Sequence, residues 1–252
     1  MYILAIETTG PYGSVALIDE NGHVKGYADS RHTLSHLKDL IPMVGEVISQ
    51  AGIEKSEISL IAPSVGPGSF TGIRIGVSTA RALAQALGIR CIAVPTLDAF
   101  TFKDQVQEAK SGQCGIVSCA ILNARRGQVY GMVEGYMEAG PYMLTDVLEV
   151  IREKVLPAGK KVLFLGDGVD AYAAKIEEGL GCEGDFAYAG EAYRYQDAAS
   201  VAKWALAEVK ARGIEHCAVA LEELLPEYMR KAEAEQKLEA GELPICKGPK
   251  QE

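Results

Sequence analysis

Four stretches of this chain combine side chains and spacings that could do chemistry. The first is Glu7-Thr8-Thr9, a carboxylate followed by two hydroxyls at the end of an apolar run. The second is SVGPGSFTGIRIG, in which Gly66, Gly68 and Gly72 alternate with Ser69 and Thr71 directly before a helical pattern. Glycines let a backbone approach an anion closely, and the free N–H groups of a helix start favour negative charge. Thr8, Thr9, Gly66, Gly68, Ser69 and Thr71 are therefore candidates for a nucleotide or phosphate cleft. No Gly-Lys-Ser/Thr ending follows, so the stretch is not a Walker A loop. The other reading is a tight strand-to-helix turn whose glycines serve close packing, with the threonines bonding their own backbone. The third stretch is HTLSH, where His32 and His36 share a face if helical and Asp39 would complete a two-histidine, one-carboxylate set. No glutamate follows His32, so the zinc-protease pattern fails; a solvent-facing pair at a helix start is expected, and no metal. The fourth is Arg125-Arg126-Gly127, either a solvated turn or a contact for a partner or RNA.

The elements that must position these residues read as follows. YILAIE (2–7), GSVALID (13–19) and HVKGYADS (23–30) are three antiparallel strands, with Asn21-Gly22 as a hairpin signal. A long helix over about 33–51 ends at Gly52, a strand covers 58–66, a helix over about 71–87 ends at Gly88, and a strand covers 90–96. This order is a mixed α/β pattern with five strands in one sheet. Residues 101–113 are polar and lack periodicity, which puts a domain boundary there. The expected division is a first α/β domain at 1–103, a smaller one at 104–230 and a charged tail at 231–252. Strands are expected at 115–124, 127–136 and 161–168, and helices at 146–155, 171–180 and 197–212, the last being free to pack back on the first domain.

The chain has 252 residues and a formal net charge of −9. A protein that holds nucleic acid alone usually presents a basic surface, so RNA would be met through a local patch or a partner. Six cysteines, at 91, 114, 119, 182, 217 and 246, form no C-x-x-C pair; reduced thiols are expected, with Cys91 and Cys119 buried. No apolar run approaches the ~18 residues of a membrane helix, and no leader pattern precedes the first strand. A cytoplasmic protein is expected.

LAIETTGPYGSVAL resembles the first hairpin of the actin/sugar-kinase/Hsp70 fold. SVGPGSFTGIRIGVSTARALA, NARRGQVY and PEYMRKAEAE together resemble the TsaB (YeaZ) family, over roughly residues 1–135 and again near 226–235. The resemblance implies an actin-like ATPase (ribonuclease H-like) fold of two related α/β domains. It also implies a non-catalytic partner that activates TsaD in making N6-threonylcarbamoyladenosine (t6A) at position 37 of ANN-reading tRNAs. TsaE, an ATPase, would join a ternary complex; the chain alone would be a homodimer, and tRNA would be met only through the complex. In TsaD itself the corresponding region leads into a metal-binding H-x-x-x-H. Here those positions fall on Thr96 and Phe100, and Glu7 stands where related sequences usually carry aspartate. A kept fold and a lost active centre follow, with no required cofactor and at most weak ATP or ADP binding. The rival is an ATP-dependent phosphotransferase or a glycoprotease-like metallohydrolase. Either needs a catalytic aspartate with a full phosphate grip, a nucleophile or a held metal; Asp98 and Asp167 lie in no recognisable motif of that kind.

The helix at 33–51 carries two apolar lines. Leu34, Leu37, Ile41, Val44, Ile48 and Ala51 form one; Leu40, Met43 and Val47 form another, about 100° round. The first line is expected to cover the sheet and the second to meet another molecule. In the helix at 71–87, Ile73, Val77, Ala80 and Ala84 suit the sheet, leaving Ala82, Leu83 and Ala86 outward. The expected partner surface is Leu37, Leu40, Met43, Val44, Val47, Ala82, Leu83 and Ala86, half of a four-helix bundle. Cover by the helix at 197–212 is the alternative.

Overall fold

Tyr2–Glu7 (β1), Ser14–Asp19 (β2) and Val24–Asp29 (β3) form the antiparallel meander read from the sequence. The register sets Leu4 opposite Leu17 and Ala5 opposite Ala16. The computed structural model describes residues 1–30, 36–112, 115–181 and 185–229. His32, the side chain of His36 and the tail from 231 onward lie outside the described residues, as do Cys114, Cys182 and Cys246. After the meander come α1 (His36–Ala51), β4 (Ile58–Gly66) parallel to β1, and α2 (Phe70–Leu87). The strand expected at 90–96 is broken into β5 (Arg90–Cys91) and β6 (Val94–Pro95), both on β4. The first sheet has the order β3-β2-β1-β4-β5, with β6 off that path.

Next come α3 (Thr96–Ala99), a 3-10 turn at Phe100–Phe102 and α4 (Asp104–Gly112). The segment expected to be irregular at 101–113 is thus mostly helical. Val106 is its buried anchor, and one such residue in a short amphipathic turn leaves too little apolar repeat to be seen. The second sheet holds β7 (Ile116–Asn123), β8 (Gln128–Val133), β9 (Met137–Met143), β10 (Lys161–Leu165) and β11 (Phe186–Tyr188), ordered β11-β10-β7-β8-β9. Against it pack α5 (Leu144–Val150), continued by a π-helical turn, and α6 (Gly168–Leu180). Then come α7 (Glu191–Arg194), α8 (Ala198–Arg212) and α9 (Ile214–Cys217). Each sheet pairs antiparallel strands with parallel ones, so the two lobes share a mixed α/β architecture.

Both faces of β1 are buried because two layers cover it. Leu4, Ile6, Val15 and Leu17 face α1 and α2. Ile3, Ala5, Ala16 and Ile18 face Val201, Ala202, Ala205 and Leu206 of α8, which crosses back from the second lobe. The helix at 197–212 therefore does not lie over α1; it caps the opposite face of the sheet. The chain then returns a second time. Val219 and Cys91 exchange backbone hydrogen bonds of 2.8 and 3.3 Å, Leu224 is fully buried, and Glu227 N–H donates to Val65 O at 2.8 Å. The lobes meet at an apolar seam in which Leu97, Phe100 and Val106 pack against Ala120, Leu122, Leu163 and Leu165. Lys103, almost fully buried, pairs with Asp197, the N-cap of α8, so the two crossings are joined by charge. Cys91 and Cys119 are buried free thiols; burial pushes Cys91 up to about 11 and Cys119 up as well.

Candidate functional site

The Glu7-Thr8-Thr9 turn lies directly against the glycine-rich turn between β4 and α2. The Glu7 carboxylate is fully buried and accepts hydrogen bonds from Thr9 N–H at 2.5 Å, Thr9 Oγ1–H at 2.6 Å and the Ser64 hydroxyl. Burial raises its pKa above the ordinary carboxyl value, and these hydrogen bonds offset only part of that. The Thr8 hydroxyl donates to Gly72 O at 2.7 Å, and Ser69 N–H donates to Thr9 O at 2.8 Å. Ser69 Oγ caps α2 by accepting from Gly72 N–H at 3.2 Å. Thr71 is exposed in the first helical turn.

The glycines mark where backbone meets backbone. A Cβ at Gly72 would overlap the Thr8 carbonyl oxygen, one at Gly68 would lie 2.6 Å from Thr9 O, and one at Gly66 would overlap Glu227 O. Gly66 also holds φ +126°, open to glycine alone. The six cradle candidates are thus brought together, but Thr8 and Thr9 bond inward and the glycines contact protein. Arg74, the cation nearest the turn in sequence, lies 4.0 Å from the Phe70 ring centroid and donates from Nε to the Tyr228 hydroxyl at 2.8 Å.

Thr96 and Phe100 lie near the same centre. Thr96 is buried, with Oγ1 3.4 Å from Thr9 Oγ1, while Phe100 fills the seam between the lobes. Among the described residues no three His, Cys, Asp or Glu side chains converge on a point. Asp98 and Asp167 both have pKa values raised chiefly by burial; Asp167 accepts from Asn123 N–H at 2.9 Å.

The helix faces differ from the expected assignment. Leu40, Met43, Val44 and Val47 of the expected partner surface are buried in the chain's own core, Leu40 at 1% and Val47 at 0% exposure. Leu37, counted on the sheet-facing line and in the expected partner surface alike, is 80% exposed, and Ile41, placed on the sheet-facing line, is 56% exposed. The cause is Gly26 on β3, which lacks a Cβ at the point where one would overlap Val47 O, so the helix backbone lies directly on the strand. That contact turns the Leu40–Met43–Val44–Val47 side inward. On α2, Ile73, Val77, Ala80 and Ala84 are buried and Ala82 and Ala86 exposed, as expected, but Leu83, expected outward, is half-buried against the core. Of the α1 line expected to face the sheet, Val44, Ile48 and Ala51 do pack against the core, whereas Leu37 and Ile41, with Gly45 one turn on, form an exposed strip.

A family model described as "TsaD: tRNA N6-adenosine threonylcarbamoyltransferase" matches residues 30–247. TsaB of Bacillus subtilis (strain 168) is 32% identical over 245 residues, which cover 94% of this chain and 97% of that protein. The chain belongs to the TsaB family. TsaB of Escherichia coli (strain K12) is 35% identical over 130 residues, about half of each chain. The solved structure of YeaZ from Pseudomonas aeruginosa superposes with a TM-score of 0.65 at 26% identity, covering 90% of this chain and 99% of that one. Membership in the TsaB family places the chain in t6A biosynthesis. Among the described residues no helix is long and apolar enough to cross a membrane.

Proposed function

We propose that the chain is the non-catalytic partner that binds and activates a TsaD transferase in forming t6A at position 37 of ANN-reading tRNAs, in the cytoplasm. The observation that carries this reading is the outer strip of α1 and α2. Leu37 and Ile41 project into solvent, and Ala82 and Ala86 lie on the open side of the helix that touches α1. Apolar anchors beside small residues suit close helix-on-helix packing. TsaD takes this surface in a heterodimer, a second copy of the chain takes it in TsaD's absence, and TsaE joins as the ATPase of a ternary complex. The transferase chemistry belongs to TsaD. On this side Glu7 is engaged by Ser64 and Thr9, and Phe100, at a position where the family resemblance implies a metal ligand, is buried in the apolar seam, which supports a subunit with no catalytic residue and no required cofactor. ATP or ADP affinity is weak, because the Thr8 and Thr9 hydroxyls bond within the protein.

The test is a pair of charge insertions on one helix. Ile41→Glu places a carboxylate in the apolar contact, where burying it costs several kcal/mol. It should abolish self-association and TsaD capture while the chain melts within a few degrees of the parent. Leu40→Glu, aimed into the core, should unfold the first lobe. Size exclusion with light scattering, co-purification with TsaD and thermal melting separate the two. Full TsaD binding by Ile41→Glu, or a melt as low as that of Leu40→Glu, overturns the surface.

A further inference from the structure

We propose that Arg125, Arg126 and Lys175 form a patch that grips the phosphate backbone of an RNA. The inference deepens the function proposed above and rests on it.

The connection between β7 and β8 is held at several points. Arg125 N–H donates to Asn123 Oδ1 at 2.8 Å. The Tyr172 hydroxyl of α6 donates to the same oxygen at 3.2 Å and accepts from Gly127 N–H at 3.2 Å. Asn123 N–H donates to Asp167 Oδ1 at 2.9 Å, and Leu144 N–H donates to Gly127 O at 3.1 Å. Inside this anchored turn Arg125 has φ +65° and Arg126 φ +54°, the two non-glycine residues of positive φ among those described. Glycine or asparagine adopts that conformation at lower cost than arginine. Strain maintained by surrounding bonds at an exposed position points to a demand on the side chains rather than on the backbone.

The side chains meet that demand. Arg125 and Arg126 are exposed, and neither has an ion-pair partner among the described residues. The Lys175 ammonium, equally unpaired, lies 5.8 Å from the ring centroid of the same Tyr172 that ties down the turn. The neighbouring Asp170 is engaged by Arg194 and by the Tyr195 hydroxyl at 3.0 Å. Three cations without an ion-pair partner among the described residues thus stand on a turn and a helix that Tyr172 ties together, in a chain of net charge −9. Guanidinium forks fit phosphodiester oxygens, and such contacts need no apolar centre. A protein interface does need one, and Met143 beside Gly127 is a single exposed side chain.

The experiment uses the assembled complex of this chain with TsaD and an unmodified transcript of an ANN-reading tRNA, with anisotropy read across a KCl series. Arg125→Asn/Arg126→Asn keeps a residue that accepts the backbone conformation, so the melting temperature should hold or rise; Lys175→Gln is added as a third change. The expected result is a loss of about tenfold or more in tRNA affinity near 0.1 M salt, with the log–log salt slope falling by roughly two. TsaD association should be unchanged. Unaltered affinity and slope overturn the proposal. So does lost TsaD association with RNA binding intact, which would make the patch a protein contact. If the parent chain fails to join TsaD at all, the functional proposal fails instead; the same variants then read the patch on the isolated chain at low salt, where an unchanged affinity sinks it.

Discussion

Gly72→Ala tests whether the glycine-rich turn is a backbone clamp. The added methyl would overlap the Thr8 carbonyl oxygen, with the Thr8 carbonyl carbon at 3.0 Å and Ser69 Cβ at 3.2 Å. Neither obstacle is the yielding end of a long side chain; one is backbone and the other is the helix cap. Relief requires the β1–β2 turn and the start of α2 to part. That movement stretches the Thr8 hydroxyl bond to Gly72 O and the Ser69 N–H bond to Thr9 O, both 2.7–2.8 Å, with Thr8 and Thr9 buried and Ser69 half-buried. Each bond contributes about 0.5–1.5 kcal/mol, and leaving its buried members unpaired adds about 1–3 kcal/mol. Helix propensity returns up to about 1 kcal/mol. The net loss is about 2–8 kcal/mol, which at this chain length lowers Tm by roughly 5–30 °C. Urea titration and thermal melting of the full chain measure it. Gly45→Ala on α1 is the control, since nothing lies within 4 Å of a Cβ there; it should be neutral or stabilising by up to about 1 kcal/mol. If Gly72→Ala behaves like Gly45→Ala, the turn and helix are not clamped and the space belongs to something else.

Glu7 makes a pH prediction. Its folded-state pKa lies above the ordinary 4.5, so the folded chain binds the proton more tightly than the unfolded one, and Glu7's contribution to stability falls as pH rises from there through the raised value. Glu7→Gln mimics the protonated acid, accepting from Thr9 and donating to Ser64, so its stability should gain on the parent's as pH rises; parallel urea-derived stabilities from about pH 4 to 8 refute this. Lys103→Met removes the partner of Asp197, whose carboxylate keeps the Ser200 N–H bond at 2.8 Å and is partly exposed; a loss of about 1–3 kcal/mol is expected, and hydrogen exchange should show the start of α8 opening first. Calorimetry on the isolated chain should find no micromolar ATP site, since Thr8 and Thr9 bond inward and Arg74 is held by Phe70 and Tyr228.

Much of the fold was legible because its signals are local. The Asn21-Gly22 hairpin, the Gly88 stop of α2 at φ +67° and the two buried cysteines follow from patterns a few residues long. The helix at Asp104–Gly112 was not legible, since one buried valine makes no periodic signal. The glycine-rich turn was legible as two alternatives only. Glycines that clear a phosphate and glycines that clear another backbone are the same residues in the same order. Their partner, the carbonyl of Thr8, is supplied from 64 residues away.

The order of residues by itself determined that α1 carries two apolar lines, that Glu7 follows a buried strand, and that two arginines occupy a hairpin turn. Which line α1 buries was decided by the tertiary structure alone. Gly26 of β3 admits the helix backbone at Val47, and that contact rolls Leu40 into the core and leaves Leu37 and Ile41 in solvent. Periodicity records the angle between stripes on a helix, whereas the sheet surface decides which stripe lies beneath. The same holds for α8, whose small residues read as a helix anywhere but cover the first sheet because the chain crosses back through Lys103 and Asp197. It holds too for the arginines: their left-handed backbone is imposed by Asn123, Tyr172 and Leu144, contacts that exist only once the second lobe has closed around the turn.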